Sequence, residues 1–455
     1  MKDKKVVVCL KYFKGELNPF DGAALECALE AGFSNIVALT MSPPSASGAF
    51  ESLTRLGVQC VMLSDGLFAG SDTQATSLVL AKAISRLQPD YVFCGRQSVD
   101  GDTAQVPPML AERLGFAIKT RVMEFDGENF TLRGGEKRAL AKNTVLTFEK
   151  IRTLRFPSIF SKAGKAEIWN NAALQIEEHR LGMKGSPTRV IRSYESGVGR
   201  RNCRFAGADQ LETLILNGLK TQKAEPVRAA ENKLDTAYFV GNIRKIAESV
   251  ANSAIEIRAE NKTAAEIAAE IQEKNAHTVL WESREDLKIL AARTAVLTGA
   301  GLCADCISFR AENGKLVMTR PALGGNVTAD IVCESQTAFA TVRTNETNGA
   351  DVIFAIGKGA AEQADKIATL AKKYGAEVCC SRIVADSGIL PYEKQVGLTG
   401  RTVSPKVYVA FGISGAVQHT CAIAGAGTVI AVNTDKNARI FDYADFGVVA
   451  DISRL

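Results

Sequence analysis

The chain has 455 residues, of which 46% are hydrophobic and 23% charged, and its formal net charge is +5. That length exceeds what one hydrophobic core organises and predicts two or three domains. The small net charge gives no case for a nucleic-acid partner. No apolar run, including the short one near the N-terminus, suffices for a signal peptide or a membrane span, so we expect a cytoplasmic protein.

The first part of the chain alternates between predicted strands and helices. Apolar runs predict strands, and amphipathic patterns predict helices between them. This alternation is typical of an α/β fold with a parallel, doubly wound sheet, whose ligands bind beyond the carboxyl ends of the strands. The strands are predicted at 6–10, 35–40, 59–63 and 90–94, and the helices at 19–31, 46–56, 72–87 and 104–114.

Three turns that follow predicted strands are candidates for a ligand site. The first is at 18–21, the second begins at Met41, and the third runs from Gly95 to Val106 into a helix. Asp102 or Thr103 is suited to cap that helix. Capping explains one residue of the third turn, whereas its other polar groups and N–H donors are suited to a ribose and phosphates.

The strand–helix alternation stops at residues 123–150, where the periodicity of the sequence changes. Two glycine-containing turns there predict a small antiparallel extension. The loop at 155–163 carries apolar residues and either packs on its own domain or docks onto another protein or domain. The basic stretch at 180–204 is interpreted as a solvated, flexible connector. We place the main domain boundary near residue 205.

A pattern of the first domain recurs about 185 residues later. A strand at 278–282, a helix near 290 and a hairpin near 312 repeat the earlier order, which predicts two related α/β domains. The second is expected to be abbreviated, and because it lacks the Asp-Gly-Asp-Thr-Ala-Gln turn, we do not expect it to hold the same nucleotide. Its Cys303 and Cys306 have no second pair at zinc spacing, so no metal site is expected.

A third unit begins near residue 351, with strands predicted at 352–356, 376–380, 407–411 and 428–432. The turn at 412–419 leads into a helix start, where N–H groups and the helix dipole favour an anion such as a cofactor phosphate. An ordinary βα loop explains one such turn. It explains less well the combination with a second glycine-rich turn at 395–400, Arg382 and His419.

These motifs resemble those of the electron transfer flavoproteins. Residues 1 to about 205 resemble the β subunit and residues 234–455 the α subunit, so the chain resembles a fusion of the two. The segment 320–326 is similar to the family's T-R-P-A-F-G-G-N, and the turns at 18–21 and 95–106 are similar to its adenine-nucleotide site. The other motifs are Ser381-Arg382, Gln395-Val396-Gly397, Thr399-Gly400, Ser414-Gly415-Ala416, Gln418-His419, Asn433 and Ala450-Asp451.

The resemblance implies a β-like nucleotide-binding domain with a docking arm at 1–205, a linker at 206–233, an abbreviated α-like domain at 234–345 and a Rossmann-like FAD-binding domain at 346–455. The implied FAD contacts are Lys358, Ser381, Arg382, Gln395, Val396, Gly397, Thr399, Gly400, Ser414, Gly415, Ala416, Gln418, His419, Asn433 and Asp451. The implied contacts to AMP, or to a second FAD, are Cys9, Asn18, Asp21, Met41, Ser98, Asp100, Gly101, Asp102, Thr103, Gln105 and Val106.

By resemblance, His419 faces the flavin C2 carbonyl and the Thr399 hydroxyl faces N5. Arg382 lies against the ring and favours the anionic semiquinone, so the protein tunes the potential of its cofactor. The turn at 414–416 takes the pyrophosphate, and Asn433 and Asp451 hold the adenosine. Two departures from the family pattern, Lys358 for an arginine and Leu398 for a glutamine, bear on the potential.

The function implied is a soluble carrier that takes electrons from a flavin dehydrogenase, of the acyl-CoA dehydrogenase type, and passes them to a downstream acceptor. The loop at 155–163 matches the region that contacts the dehydrogenase. The main alternative is an NADH-oxidising, electron-bifurcating flavoprotein with a second FAD. The Asp100–Val106 motif favours that alternative, whereas the short segment between Lys11 and Asn18 favours AMP, which we prefer.

A third alternative, a non-redox adenine-nucleotide module, is opposed by the FAD motifs at 381–451. A single fused chain removes the need for a heterodimer and does not forbid a homodimer.

Overall fold

The computed structural model describes residues 3–195, 200–220, 232–325, 327–343, 350–397 and 399–454. Asn326 and Leu398, both part of the family motifs, lie outside the described residues. The described residues form two compact units. The first contains residues 3–192, 232–320 and 330–342, and the second contains the others.

A nine-stranded sheet forms the larger part of the first unit. Along its central strand, Val6 and Val8 face one hydrophobic cluster and Val7 faces another, so both faces of the sheet are buried. The strands pair in parallel except for the antiparallel extension formed by the last three. Both features were predicted and are confirmed. The strand order is Glu167–Trp169, Gln59–Leu63, Asn35–Met41, Lys5–Leu10, Tyr91–Gly95, Thr144–Phe148, Ala117–Phe125, Asn129–Leu132 and Lys137–Ala139.

Five helices accompany this sheet. The helix predicted at 46–56 differs from its prediction. It is an α-helix only over Ser47–Glu51 and continues as a 3₁₀ helix over Ser52–Leu56. A two-stranded ribbon of Tyr12–Phe13 and Glu16–Leu17 follows the first strand. The helices are Pro19–Glu30, Ser47–Glu51, Thr73–Leu87, Val106–Leu114 and Asn171–Leu174.

A second parallel sheet of five strands completes the first unit. Helix packing joins the two sheets, since Met109 shares a hydrophobic cluster with Trp281, and Gln74 Nε2 donates to the carbonyl oxygen of Ala295 at 2.6 Å. The strand order is Ala251–Glu256, Leu234–Val240, Thr278–Glu282, Ala338–Val342 and Gly301–Cys306, and the helices are Arg244–Val250, Ala264–Glu273 and Glu285–Thr298.

A four-stranded sheet contains the hairpin of Ser308–Glu312 and Lys315–Ala322 together with Thr188–Glu195 and Val327–Cys333. The hairpin was predicted from its turn. The strand Thr188–Glu195 was not, because its side chains are largely exposed and show no apolar alternation. The interpretation of residues 180–204 as a flexible connector is therefore wrong over this strand.

The second unit is built on a parallel sheet of six strands. An edge strand and a helix from the segment between residues 204 and 218 belong to it, and Leu211 and Ile215 are buried in its hydrophobic cluster. The boundaries of the proposed domains and linker stay a prediction. The strand order is Arg204–Ala206, Phe446–Val449, Thr428–Asn433, Val407–Phe411, Val352–Ile356 and Glu377–Cys380, and the helices are Leu211–Gly218, Ala364–Lys373, Arg382–Asp386 and Val417–Thr420.

Candidate functional site

The nine-stranded sheet reverses its direction of growth at its first strand, Lys5–Leu10. The chain passes first to Asn35–Met41 on one side of that strand and later to Tyr91–Gly95 on the other. The loop that follows Lys5–Leu10 and the loop that follows Tyr91–Gly95 therefore run in opposite directions at the carboxyl edge of the sheet. Such a parting opens a crevice that commonly holds a ligand.

A cavity of about 820 Å³ occupies this crevice in the first unit. Its volume is near the upper end of the range of about 300–1,000 Å³ that is typical of small-molecule sites. Nine of the eleven residues expected to bind a nucleotide line it, namely Cys9, Asp21, Met41, Ser98, Asp100, Gly101, Thr103, Gln105 and Val106. The structure thus brings together residues from four separate segments of the sequence.

The other two expected residues, Asn18 and Asp102, support the turn after Tyr91–Gly95. Asn18 Nδ2 donates to the carbonyl oxygen of Gln97 at 2.9 Å, and Gln97 Nε2 donates to Asp102 Oδ1 at 3.0 Å. Both residues are buried. Their amide and carboxylate fix the shape of the turn, so their effect on a ligand is indirect.

Asp21 connects the two loops that form the crevice. Its Oδ2 accepts the Lys11 N–H at 2.8 Å, and its Oδ1 accepts the Gly95 N–H at 3.0 Å. Only glycine fits at position 95, because a Cβ there would lie 2.2 Å from Asp21 Oδ1. Burial raises the pKa of Asp21 to about 7, against the opposing effect of these N–H donors and the Lys11 charge.

One buried polar atom of the cavity lining, Gln105 Nε2, has no hydrogen-bond partner among the described residues. The Gln105 side chain is otherwise fixed, since its Oε1 accepts the Thr73 hydroxyl at 3.0 Å. Unsatisfied buried groups are uncommon in proteins and require a partner. An adenine nucleotide carries both donors and acceptors, so the residues present fit such a ligand.

Part of the cavity lining was not predicted from the sequence. The loop after Gln59–Leu63 could have been found, because it also leaves the carboxyl end of a parallel strand. Arg320 could not have been found in this way, since only tertiary packing brings it from the second half of the chain to the cavity. It is buried, its Nε donates to the carbonyl oxygen of Ala304 at 2.8 Å, and it forms no ion pair with the described residues. The missed residues include Ser64, Asp65, Ser71, Asp72, Thr73, Leu302, Cys303, Ala304, Arg320 and Ile331.

The sheet of the second unit repeats the same reversal, between the loops that follow Val352–Ile356 and Val407–Phe411. Here the loops touch, because the Gly359 N–H donates to the carbonyl oxygen of Gly412 at 3.1 Å. Gly415 has a φ of +86°, and a Cβ there would lie 2.1 Å from the backbone nitrogen of Ile440. Backbone approaches this close permit only glycine.

The turn after Val407–Phe411 exposes the side chains of Ser414, Ala416 and Gln418 at the carboxyl edge of the sheet. The helix that begins there is one turn long, Val417–Thr420. It is shorter than the phosphate-binding helix we expected. The helix dipole therefore contributes little, and the backbone N–H groups of the turn are the donors that a phosphate would use.

The second glycine-rich turn lies at the end of Glu377–Cys380. The Val396 N–H donates to the carbonyl oxygen of Cys380 at 2.9 Å, and Gln395 Nε2 donates to the Thr399 hydroxyl oxygen at 2.9 Å. A Cβ at Gly400 would lie 2.3 Å from the Gln395 carbonyl oxygen. Gly397 is also part of this turn, with a φ of +149°. The turn is thus folded tightly beside Ser381 and Arg382, which follow the same strand.

The remaining expected FAD residues leave the same edge of the sheet. Arg382 Nε lies 3.3 Å from Asp386 Oδ2, one helical turn away. Asn433 Nδ2 donates to the carbonyl oxygen of Ile413 at 3.0 Å and so fixes the turn before Ser414. Lys358 and Asp451 are exposed, on the segments that follow Val352–Ile356 and Phe446–Val449.

His419 is buried, with 6% of its surface exposed, and its Nε2 lies 2.8 Å from the Tyr408 hydroxyl oxygen. Tyr408 is fully buried, so its hydroxyl proton needs an acceptor, and His419 Nε2 provides one. The imidazole proton is then on Nδ1. This atom has no well-formed hydrogen bond to the described residues, although the Val396 backbone is close enough to act on the ring as an acceptor. An electron-rich carbonyl of a cofactor would satisfy this donor.

Burial lowers the pKa of His419 to about 4, with an opposing effect from the backbone of Val396. The ring is therefore neutral at pH 7. The group that the resemblance assigns to the flavin C2 carbonyl is accordingly an N–H donor without a positive charge.

We expect the imidazole signals of His419 to stay those of a neutral ring until the pH approaches 4, in ¹⁵N–¹H NMR spectra of protein labelled at its three histidines. His179 and His277 are exposed and supply the reference signals. Because the unfolded chain binds this proton near pH 6.5, the free energy of unfolding should fall by up to about 3 kcal/mol between pH 6.5 and 4. Titration of His419 above pH 6 would contradict this.

Residues 6–150 and 247–376 match the model of the electron transfer flavoprotein domain, and residues 346–424 match that of the electron transfer flavoprotein FAD-binding domain. The chain belongs to the electron transfer flavoprotein family. Its C-terminal domain is an FAD-binding domain of that family. The repeated match to one domain model confirms the two related α/β domains predicted from the recurring pattern.

Proteins named for both subunits of the family are similar to this chain. It is 36% identical over 208 residues to the β subunit of Thermoanaerobacterium thermosaccharolyticum, covering 42% of this chain and 80% of that subunit. It is 28% identical over 325 residues to the α subunit of Mycobacterium tuberculosis, covering 62% of this chain and 95% of that subunit. The match to Protein FixB of Rhizobium meliloti, 34% identical over 211 residues, covers 36% of this chain and 59% of that protein.

The chain therefore joins β-like and α-like portions of an electron transfer flavoprotein. Asn433 and Asp451 lie beyond the residues that match the FAD-binding model. Among the residues that the structure describes, no helix is both long and apolar enough to span a bilayer.

Proposed function

We propose that the protein is an FAD-containing electron carrier that accepts electrons from a flavin dehydrogenase of the acyl-CoA dehydrogenase type and passes them to a downstream acceptor, with an anionic flavin semiquinone as its one-electron state. The observation that carries the proposal is the match to the FAD-binding model over residues 346–424. The flavin supplies the redox chemistry when bound. The residues of the chain hold it and set the polarity around it.

We assign the diphosphate of FAD to the N–H groups of the turn that contains Ser414 and Gly415, which only glycine can complete at position 415. Arg382 follows Glu377–Cys380 at the same carboxyl edge, Thr399 lies in the glycine-rich turn beside it, and both are assigned to the flavin. The buried Nδ1–H of His419 is assigned to the C2 carbonyl, because the described residues give that donor no well-formed hydrogen bond. Asn433 and Asp451 are assigned to the adenosine end.

The exposed apolar side chains of the loop at 155–163 favour docking of a partner over packing of the loop onto its own domain. Phe156, Ile159 and Phe160 are 91%, 85% and 87% exposed. The base of the loop is fixed, since Arg155 Nη2 lies 2.7 Å from Glu26 Oε1 and Arg55 Nη2 donates to the Ser158 carbonyl oxygen at 3.0 Å. Apolar side chains held out on an anchored loop are typical of a protein-binding surface.

The second candidate is the NADH-oxidising, bifurcating flavoprotein, with a second FAD in the N-terminal cavity in place of AMP. Two observations favour it. The cavity of about 820 Å³ leaves room for a dinucleotide. The buried guanidinium of Arg320 also supplies a positive charge at its wall, which suits a ligand with additional anionic or electron-rich groups.

Quantification of the cofactors released from purified protein tests both candidates. One FAD and one AMP per chain support the carrier, whereas two FAD and bleaching by NADH support bifurcation. Gly415→Ala should lose the C-terminal FAD, because the added Cβ would lie 2.1 Å from the Ile440 nitrogen, and should keep the N-terminal ligand. A colourless wild-type protein that FAD cannot reconstitute would refute both candidates.

A further inference from the structure

A second cavity in the first unit, of about 430 Å³, is lined by residues with a strongly basic composition. Four basic side chains, those of Arg113, Arg180, Lys184 and Arg189, line it with one carboxylate, that of Glu334. None of these five lines the nucleotide cavity. Subtracting the one acid from the four bases leaves three positive charges around this basic cavity.

Arg113 is held in this wall by neutral groups. Its Nε donates to the Ser77 hydroxyl oxygen at 3.0 Å and its Nη2 donates to Gln74 Oε1 at 2.7 Å. Among the described residues no carboxylate forms an ion pair with it. Burial, and then the charge of Arg180, lower the pKa of Arg113 to about 10, with Asp72 opposing. A partly buried cation next to a like charge is unfavourable unless an anion joins them.

Arg180 and Lys184 lie on a turn whose backbone is fixed. The Gly185 N–H donates to the Leu181 carbonyl oxygen at 2.9 Å, and a Cβ at Gly185 would lie 2.0 Å from the carbonyl carbon of Arg180. The Ser186 hydroxyl donates to the Gly182 carbonyl oxygen at 2.6 Å. The side chains of Arg180 and Lys184 are exposed and form no ion pair with the described residues. They are therefore available to a ligand.

Arg189 differs from the other three bases, because its Nε lies 3.2 Å from Glu334 Oε2. That ion pair neutralises one side of the basic cavity and leaves the positive charge on Arg113, Arg180 and Lys184. Two guanidinium groups and an ammonium group offer planar and point-like donors, which together suit the oxygens of a phosphate.

We propose that the basic cavity binds a small phosphomonoester, with its phosphate among Arg113, Arg180 and Lys184. A bare phosphate ion would leave most of the 430 Å³ unfilled, and this volume is within the range of about 300–1,000 Å³ for small-molecule sites. The uncharged part of the ligand then lies against Leu78, Val296 and Ser335, which line the same cavity.

The basic cavity and the nucleotide cavity share a wall. Asp72 donates its backbone N–H to the Ser186 hydroxyl oxygen at 2.8 Å, while its Oδ2 accepts the Thr188 hydroxyl at 2.7 Å. Ser186 lines the basic cavity, whereas Asp72 and Thr188 line the nucleotide cavity. Because basic side chains also line the nucleotide cavity, among them Lys11 and Arg320, a phosphate probe can bind in either cavity.

The test is isothermal titration of the purified, cofactor-containing protein with glycerol 3-phosphate and with inorganic phosphate, at low ionic strength. The variant is the double substitution Arg180→Gln and Lys184→Gln, which leaves the nucleotide cavity unchanged. Its matched control is Lys82→Gln and Arg258→Gln, which removes the same charge from two exposed side chains outside both cavities. Thermal unfolding and FAD content show that each variant is folded.

We expect saturable binding of glycerol 3-phosphate, tighter than that of inorganic phosphate. The double variant should weaken it by at least about tenfold, because it removes two charged donors to the phosphate, and the control should keep the affinity within about twofold. Equal affinity in the double variant, or an equal loss in the control, would overturn the site. Equal affinity for inorganic phosphate would overturn the phosphomonoester assignment.

Discussion

Replacing Glu149 with glutamine is expected to lower the free energy of unfolding by about 3–5 kcal/mol. The Glu149 side chain is 3% exposed and is surrounded by three arginines. Its Oε1 forms ion pairs with Arg96 and, at 2.6 Å, with Arg133, and its Oε2 lies 3.5 Å from Arg121 Nε. A neutral amide would remove the charge that Arg96 and Arg133 share in a buried place. Glu285, 3.9 Å from Arg121 Nη1, is partly exposed and does not replace it.

Urea unfolding of the wild type and of Glu149→Gln measures this loss. Glu124→Gln is the matched control, because Glu124 forms ion pairs with Lys150 and Arg152 but is 51% exposed. Exposed pairs contribute at most about 1 kcal/mol. A Glu149→Gln variant as stable as Glu124→Gln would show that the buried arginines do not depend on this carboxylate.

The same substitution should also lower the occupancy of the nucleotide cavity. Arg96 begins the turn that leads to Gln105, and its backbone N–H donates to the carbonyl oxygen of Phe148 at 2.9 Å, directly before Glu149. The buried carboxylate thus stabilises both the core and the start of the ligand-binding turn.

Buried parallel strands were the part of the fold that the sequence predicted best. The strands Gln59–Leu63, Thr278–Glu282 and Val407–Phe411 have the bounds expected from their apolar runs. A strand covered on both faces must be apolar throughout, and that requirement is local in the sequence. Thr188–Glu195 has no such signal, because its exposed side chains leave only backbone pairing to define it.

The residues of the candidate sites show the same difference between those that a local sequence pattern predicts and those that only tertiary packing brings together. The residues that line the nucleotide cavity from the loops after Lys5–Leu10 and Tyr91–Gly95 were expected, because the ends of parallel strands indicate a ligand site from sequence. Arg320 was not, since no local pattern around it places it beside loops that lie more than about 200 residues earlier in the chain. The pairing of Tyr408 with His419 was missed for a related reason, because a buried tyrosine in a strand has the same pattern as any core residue.

Replacing Phe156, Ile159 and Phe160 together with serine is expected to slow electron transfer from a purified acyl-CoA dehydrogenase of the same organism by at least about 100-fold. A few buried side chains dominate a protein interface and contribute about 2 kcal/mol or more each, so the loss of one or two such contacts accounts for a 100-fold effect. The contacts that fix the base of the loop, from Arg155 and Arg55, remain in the variant. Stopped-flow reduction of the flavin by the reduced dehydrogenase measures the effect.

The stability of this triple variant decides how that result is interpreted. The three side chains are 91%, 85% and 87% exposed, so their removal should leave urea unfolding, FAD content and chemical reduction by dithionite unchanged. Ile168→Ser removes another exposed apolar side chain, 57% exposed on a different segment, and should transfer electrons at the wild-type rate. A triple variant that unfolds more easily would mean that the loop packs onto its own protein. A stable triple variant with an unchanged rate would exclude the loop from the docking surface. Loss of transfer with unchanged stability is expected only if these side chains are buried by the partner.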